Sequence, residues 1–495
     1  MSVKPEGMEK LSRTLFFIFV FAVVFIFFRY IHPVTAASGD DWINLPSYRE
    51  AIPVWGGFNP VKVVPELLLP LIGQFSSFVV MPIGYDFLTA ISITTATFVA
   101  LLTCAFLYQL YLLMRENIGS DNSISLLISF ICLLFLFGAF KTLDDSRSPY
   151  LLWEAGLTCY YHYLTPALIN GTMVLYLMRN DVTTKSLSSF HPLKVGAIIL
   201  AIYLCIFSNI FSSVFLAVYC GVSLLPPLLQ SVRSRKATFI HYPVHVFAVV
   251  IFFISAIFEM NGGRAGRIGK DKLGILDAVN TLMSLLEKLS YVFAAVTVVM
   301  VIAGAVYFVC NTKNEKSDQF KSVYWVSLLS LIISAFALIL VCAKAGAGYA
   351  ERPVAMFGIF FFIMVACFVS IAELSKHYRF ISYVLPISVL FMLNVVTSRE
   401  TSFREPHDMN MKFSEAYAIS NGIIETVIKA DKENARYVEV KVPKINDTTN
   451  WPFPLNRGRQ IGDALRSNGI IKNYFEIRMV TDEKINQELN LPRRK

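Results

Sequence analysis

Charged residues are scarce in this chain: Asp, Glu, Lys and Arg make up 16% of its 495 residues. Paired cysteines are missing altogether. The eight cysteines, Cys104, Cys132, Cys159, Cys205, Cys220, Cys310, Cys342 and Cys367, stand singly, and nearly all fall inside hydrophobic runs. A thiol there packs as a small apolar group, so no disulfide framework is implied. No His, Cys and carboxylate spacing fits a structural or catalytic zinc site, and no metal is assigned. A glycine-rich motif that would cradle a nucleotide's phosphates is absent too, so no cofactor is assigned. So is any basic cluster interleaved with aromatics, and the formal charge of +9 does not point to nucleic acid. An excess of Lys and Arg is what the cytoplasmic loops of a membrane protein hold against anionic lipid.

What the chain has in plenty is apolar length. Hydrophobic residues are 55% of the total, with 41 Phe and 22 Tyr, and the mean hydropathy is +0.56. A soluble domain rarely passes half apolar and sets its apolar residues in periodic stripes. Here they come in blocks of roughly 17–25, the helix length that about 30 Å of hydrocarbon demands. The pattern predicts a polytopic α-helical membrane protein with about eleven spans: 12–32, 85–114, 124–140, 163–178, 194–209, 211–228, 243–259, 288–310, 323–343, 353–374 and 380–396. Residues 64–82 are apolar but punctuated by Pro65, Pro70 and Pro82. They read as a re-entrant or interfacial helix. The first run, Leu15–Phe28 behind Lys10 and Arg13, is long and highly aromatic for a signal peptide and reads as an uncleaved first helix.

A modest excess of Lys and Arg in alternate loops, including a cluster at 233–236, places the N-terminus in the cytoplasm. Odd parity then carries residues 397–495 to the opposite side. Composition changes abruptly there, to seventeen Lys or Arg against fourteen Asp or Glu. The expected division is a transmembrane domain over 1–396 and a small extracytoplasmic α/β domain over 397–495. In the latter an amphipathic helix precedes a strand at 437–442, where YVEVKV alternates with period two. The stretch IGDALRSNGIIKNYFEIRMV repeats that order.

Four segments on the predicted outer side carry unusual combinations of charge, glycine and aromatics: 38–62, 141–166, 258–272 and 343–353. Asp40 and Asp41 follow the first span directly. Adjacent carboxylates repel, so one of them needs a cation, a hydrogen-bond donor or a proton. A carboxylate so placed can take the proton of a hydroxyl nucleophile; the plainer alternative is a solvated pair. Asp144 and Asp145 pose the same choice, with Lys141 and Arg147 close by to neutralise them. Tyr160 and His162 sit in the aromatic cluster 159–166 at the start of a span, either an interfacial belt or a platform for sugar rings, with His162 a satisfied interfacial histidine or else a base or metal ligand. Trp153 and Glu154, earlier in the same outer segment, are further substrate-binding candidates. In NGGRAGR, Arg264 and Arg267 offer guanidinium forks suited to phosphate among free backbone N–H groups. Lys344 and Arg352 flank AGAGY as a second candidate contact. A flexible basic loop touching lipid is the alternative for both.

Taken in order, DDW with a following WGGF, LLWEAGLTCYYHYLTP, EMNGGRAGR, the ERP before a late span and the tail NWPFPLNRGRQIGDAL resemble the GT-C class of integral-membrane glycosyltransferases. More narrowly they are similar to serotype-converting O-antigen glucosyltransferases and related bacterial polytopic proteins. Those relatives often show Pro-Gly-Asn ahead of the arginine, where this chain has MNGGR. The resemblance implies transfer of a sugar, glucosyl in the nearest cases, from a polyprenyl-phosphate donor to a lipid-linked glycan on the periplasmic face of a bacterial inner membrane. It also implies that Asp40 or Asp41 handles the acceptor hydroxyl and that the arginines hold the departing phosphate. The rival readings are a glycolipid transporter or flippase, and a polymerase or ligase of the same glycans. Transporters usually place ionisable groups within their spans and often repeat their halves; these spans are almost free of charge and no repeat is visible.

Overall fold

In hydrocarbon a backbone has no water to bond to, so long apolar blocks close their own hydrogen bonds as helices. The computed structural model describes residues 5–141, 148–180, 182–234, 238–263, 274–310, 318–398, 403–408 and 411–491. Among these, eight helices are long and apolar enough to cross a membrane: Glu6–Ile31, Val63–Ile83, Phe87–Asn117, Ile210–Ser231, Pro243–Met260, Tyr291–Cys310, Phe320–Ala345 and Phe357–His377. Three shorter apolar helices, Asn122–Gly138, Pro192–Ile206 and Tyr383–Thr397, run among them. The chain is a polytopic helical membrane protein.

Polar contacts at helix ends define two ends of the bundle. At one, Arg115 pairs with Glu9 at 3.1 Å, the Asn117 amide donates to the Arg179 carbonyl at 2.8 Å, and Lys376 reaches the Ile118 carbonyl. At the other, the Val63 amide donates to the Phe207 carbonyl, Gly263 to Gly57, Ser290 to Ala139 and Gly274 to Ala343. The described parts of all four segments singled out in the sequence lie at this second end, called here the site end.

Residues 63–83 also belong to the site end. Their length and apolarity suffice for a crossing, yet the helix starts against Phe207 and its middle meets the tail. A Cβ built on Gly73 would lie 2.9 Å from Asn468 Oδ1. The helix therefore lies across the bundle end, as the prolines suggest. Pro65 falls in its first turn, where no N–H is needed, and only Pro70 interrupts the ladder.

The tail folds into helix Phe413–Lys432, strand β1 (Tyr437–Val442), helix Gly458–Ser467 and strand β2 (Glu476–Thr481). The strands pair in parallel, Tyr437 opposite Glu476 and Val442 opposite Thr481. A parallel pair needs a crossover, and the intervening helix supplies it. The tail seats on the site end through backbone bonds that include Gly39 to the Pro452 carbonyl at 2.9 Å, Gly156 to the Pro406 carbonyl at 3.0 Å and Arg404 to the Ser148 carbonyl at 3.2 Å. One hydrophobic core runs from the bundle into the tail, so no gap separates residues 1–396 from residues of the tail.

Candidate functional site

The DDW motif opens a six-residue helix, Gly39–Asn44, and a helical turn sends its two carboxylates in different directions. Asp41 is fully buried. Its Oδ2 accepts from the Ala37 and Ser38 amides, both at 2.9 Å. Its Oδ1 accepts from the Thr158 amide at 2.8 Å and the Thr158 hydroxyl at 2.7 Å. Burial raises the pKa of Asp41, and these four donors pull against it. A carboxylate with all four acceptor sites engaged is a tie between the 37–41 turn and the Leu157–Cys159 helical turn. It has no lone pair left with which to take a proton. Asp40, by contrast, is exposed. Of the pair, Asp40 is the one that can meet a substrate.

Asp408, from the tail, completes an acidic group with them. Burial raises its pKa to about 7; the charges of Asp41 and Asp40 add to this, while the Trp451 indole N–H, 3.2 Å from its Oδ2, and Arg352 oppose it. A carboxyl poised near neutrality beside an exposed carboxylate can hold or release a proton under ordinary conditions.

Cations gather on the neighbouring wall around Glu154, which is 1% exposed. Its Oε2 lies 3.6 Å from Arg352 Nη1. Neither oxygen has a hydrogen bond of ordinary geometry among the described residues. Burial lifts its pKa to about 7 against the pull of Arg352, the Ala155 amide, Lys62 and Arg404. Arg352 stands over two rings, 5.5 Å from the centre of Tyr163 and 5.1 Å from that of Tyr349. The Lys62 ammonium sits 5.1 Å from the centre of Tyr163 and 3.4 Å from His162 Nδ1. Arg404 lies 4.2 Å over the Trp153 ring, whose N–H donates to the Glu405 carbonyl. Burial lowers the pKa of Arg404. Lys62, Arg352 and Arg404 gather about Glu154, with Glu351 and Asp408 also acting on Arg404, and guanidinium groups so placed suit an anionic group such as phosphate.

The structure thus brings together Asp40, Asp41, Trp153, Glu154, His162 and Arg352. It does not give each the role expected. Tyr160 is buried, its ring against Phe28 and its hydroxyl 2.9 Å from that of Tyr150. With no exposed face it packs the core and offers no platform to a sugar. Trp153 is likewise covered by Arg404. Lys344 is exposed on the last turn of its helix, while Arg352 turns inward. Asp144, Asp145, Arg264 and Arg267 lie outside the described residues.

Lys62, Arg404 and Asp408 escaped the sequence reading. Lys62 ends a segment already marked, and its charge is 5% exposed because the Val63–Phe75 helix begins beside it. The REPHD stretch at 404–408 offered the same signal as the other segments, charge just beyond a span, but it was absorbed into the polar tail. Among the described residues, no three His, Cys, Asp or Glu are grouped to hold a metal ion. No family model, no curated protein and no solved structure matches this chain, so its chemistry is read from the site.

Proposed function

We propose that this chain is an integral-membrane glycosyltransferase of the GT-C type. It moves a sugar, glucosyl by resemblance, from a polyprenyl-phosphate donor to a lipid-linked glycan such as O-antigen. In this reading eleven helices cross the bacterial inner membrane, with the 157–179 helix and the three short apolar ones among them. The N-terminus is cytoplasmic, and the site end and tail face the periplasm.

The observation that supports it most is the gathering of both signs of charge at the site end. Carboxylates at 40 and 408 stand beside Lys62, Arg352 and Arg404, and both arginines are within electrostatic reach of Asp408. Sugar transfer asks for both. The acceptor hydroxyl oxygen attacks the anomeric carbon and loses its proton to Asp40. The bond from that carbon to the phosphate oxygen breaks, and its electron pair stays on the phosphate. Arg352 and Lys62 meet the negative charge that develops there, the largest electrostatic demand of such a step. Arg264 and Arg267 are further candidates for the same phosphate.

Asp40→Asn in otherwise folded protein is expected to cut transfer by about 100-fold or more, as removal of a general base does. Mass analysis of host glycans with the parent, with the variant and without the gene reads this directly. Full glycan modification by Asp40→Asn removes the base role. An unchanged glycan without the gene, accompanied by altered lipid distribution, replaces the transferase with a transporter.

A further inference from the structure

We propose that a cleft in the tail binds the saccharide chain of the acceptor, without its lipid, and presents it to Asp40 across the indole of Trp451. The inference deepens the transferase reading and rests on it for the identity of the ligand.

The cleft has a volume of 610 Å³, lies between the 444–457 loop and the end of β2, and is lined by Thr448, Thr449, Trp451, Asn456, Arg457 and Thr481 among others. Hydroxyls and amides both donate and accept, as the hydroxyls of a sugar do. A partly buried indole gives the C–H face of a pyranose ring an apolar surface to lie on. Lys444 and Asp447 pair at 2.9 Å and cancel, leaving Arg457 as the net charge of the wall. Its Nε is buried and has no acceptor among the described residues. A neutral or weakly acidic glycan fits this lining better than a polyanion does.

The loop is stiff before any ligand arrives. Asn446 Oδ1 accepts from the amides of Thr448, Thr449 and Asn450, at 2.9 to 3.1 Å. The Asn450 side chain ties Pro443, Ile445 and Phe453 together. A wall held in this way loses little freedom on binding.

The wall is also fixed to the bundle beside the candidate base. Gly39 donates to the Pro452 carbonyl at 2.9 Å. A Cβ on Gly39 would lie 2.8 Å from Pro454 Cδ and 3.4 Å from the Trp451 ring. Asp40 is the next residue, and Trp451 donates its indole N–H to Asp408. One side chain therefore lines the cleft and touches the acidic group.

The test uses the full chain in lipid nanodiscs and an array of soluble, lipid-free oligosaccharide fragments of bacterial envelope polysaccharides. The parent is expected to retain at least one fragment. Trp451→Ala weakens that binding by about tenfold or more, the usual cost of truncating a tryptophan anchor. Trp451→Phe keeps an aromatic face while giving up the fused ring and the bond to Asp408, so it retains clearly more binding than Trp451→Ala. Asn456→Ala, at an exposed rim position, weakens binding even if Trp451→Ala fails to fold. Retention of no fragment by the parent, or parent-like binding in both Trp451→Ala and Asn456→Ala, overturns the proposal. Fragment binding without any sugar transfer keeps the cleft and sinks the transferase. Transfer by Trp451→Ala with the parent's acceptor KM does the reverse.

Discussion

The two ends of the bundle differ in how a buried carboxyl is partnered. At the end away from the tail the buried Glu373 is paired at close range, although the more exposed Arg179–Glu116 pair there is 3.7 Å long. Lys376 meets Glu373 at 2.5 Å, and Arg115 meets Glu9 at 3.1 Å. These cations also cap carbonyls of neighbouring loops, Lys376 at Ile118 and Arg115 at Ser120. They stitch helix ends together. At the site end the Glu154–Arg352 pair is 3.6 Å long, Glu154 has no hydrogen bond of ordinary geometry among the described residues, and two carboxyls have pKa values pushed to about 7. Such a group is left partly unsatisfied by its own protein. The contrast teaches that burial of charge alone does not mark a site; burial with incomplete pairing does.

That contrast can be broken. The largest effect is expected from Asp40→Asn, which should cost transfer about 100-fold or more in the glycan mass readout. Next, Arg352→Ala should lower transfer per folded molecule by about 10- to 100-fold. Its counterpart at the other end, Lys376→Ala, should lower the thermal midpoint and leave transfer per folded molecule within about twofold. Equal losses of rate in the two variants would erase the distinction between the ends.

A third test turns on pH. The Glu154 pKa rises from its ordinary 4.5 to about 7 on folding. The folded state therefore holds this proton more tightly, and the stabilisation is fully present below about pH 4.5 and lost as pH rises through about 7. Glu154→Gln removes the dependence, so its thermal midpoint should gain on the parent between pH 5 and pH 8. A constant offset between the two proteins over that range would mean that Glu154 stays ionised beside Arg352. The smallest effect is expected at the exposed pair of the other end, where Glu9→Gln should change stability by about 1 kcal/mol or less, read from denaturation midpoints.

Much of this architecture was legible residue by residue. The proline-punctuated 64–82 segment announced a helix that lies across the bundle end, because its apolar length came without an uninterrupted ladder. The alternation in YVEVKV announced β1, since only period two can place Val440 and Val442 inside while Glu439 and Lys441 point out. Gathering of the marked segments at one end followed from their common place at span ends. What sequence reasoning left open was which member of Asp40 and Asp41 is tied into the fold. Thr158, more than a hundred positions away, answers that by claiming both lone pairs of one Asp41 oxygen. The surroundings of Tyr160 and of Asp408 are hidden from the sequence for the same reason. Tyr160 has the pattern of a surface aromatic and is covered by Phe28; Asp408 blends into the polarity of the tail and is buried beside the acidic pair.

By itself the sequence determined that this protein lives in a bilayer, because apolar blocks of spanning length have no other solvent. It also determined that the charged residues of the candidate site stand at span ends, since charge is too costly to leave within the spans. Only the tertiary structure decided which charges are ties and which are poised. That distinction depends on how many donors reach each buried oxygen, and a decisive donor such as Thr158 lies more than a hundred positions from Asp41 and meets it only in the folded chain.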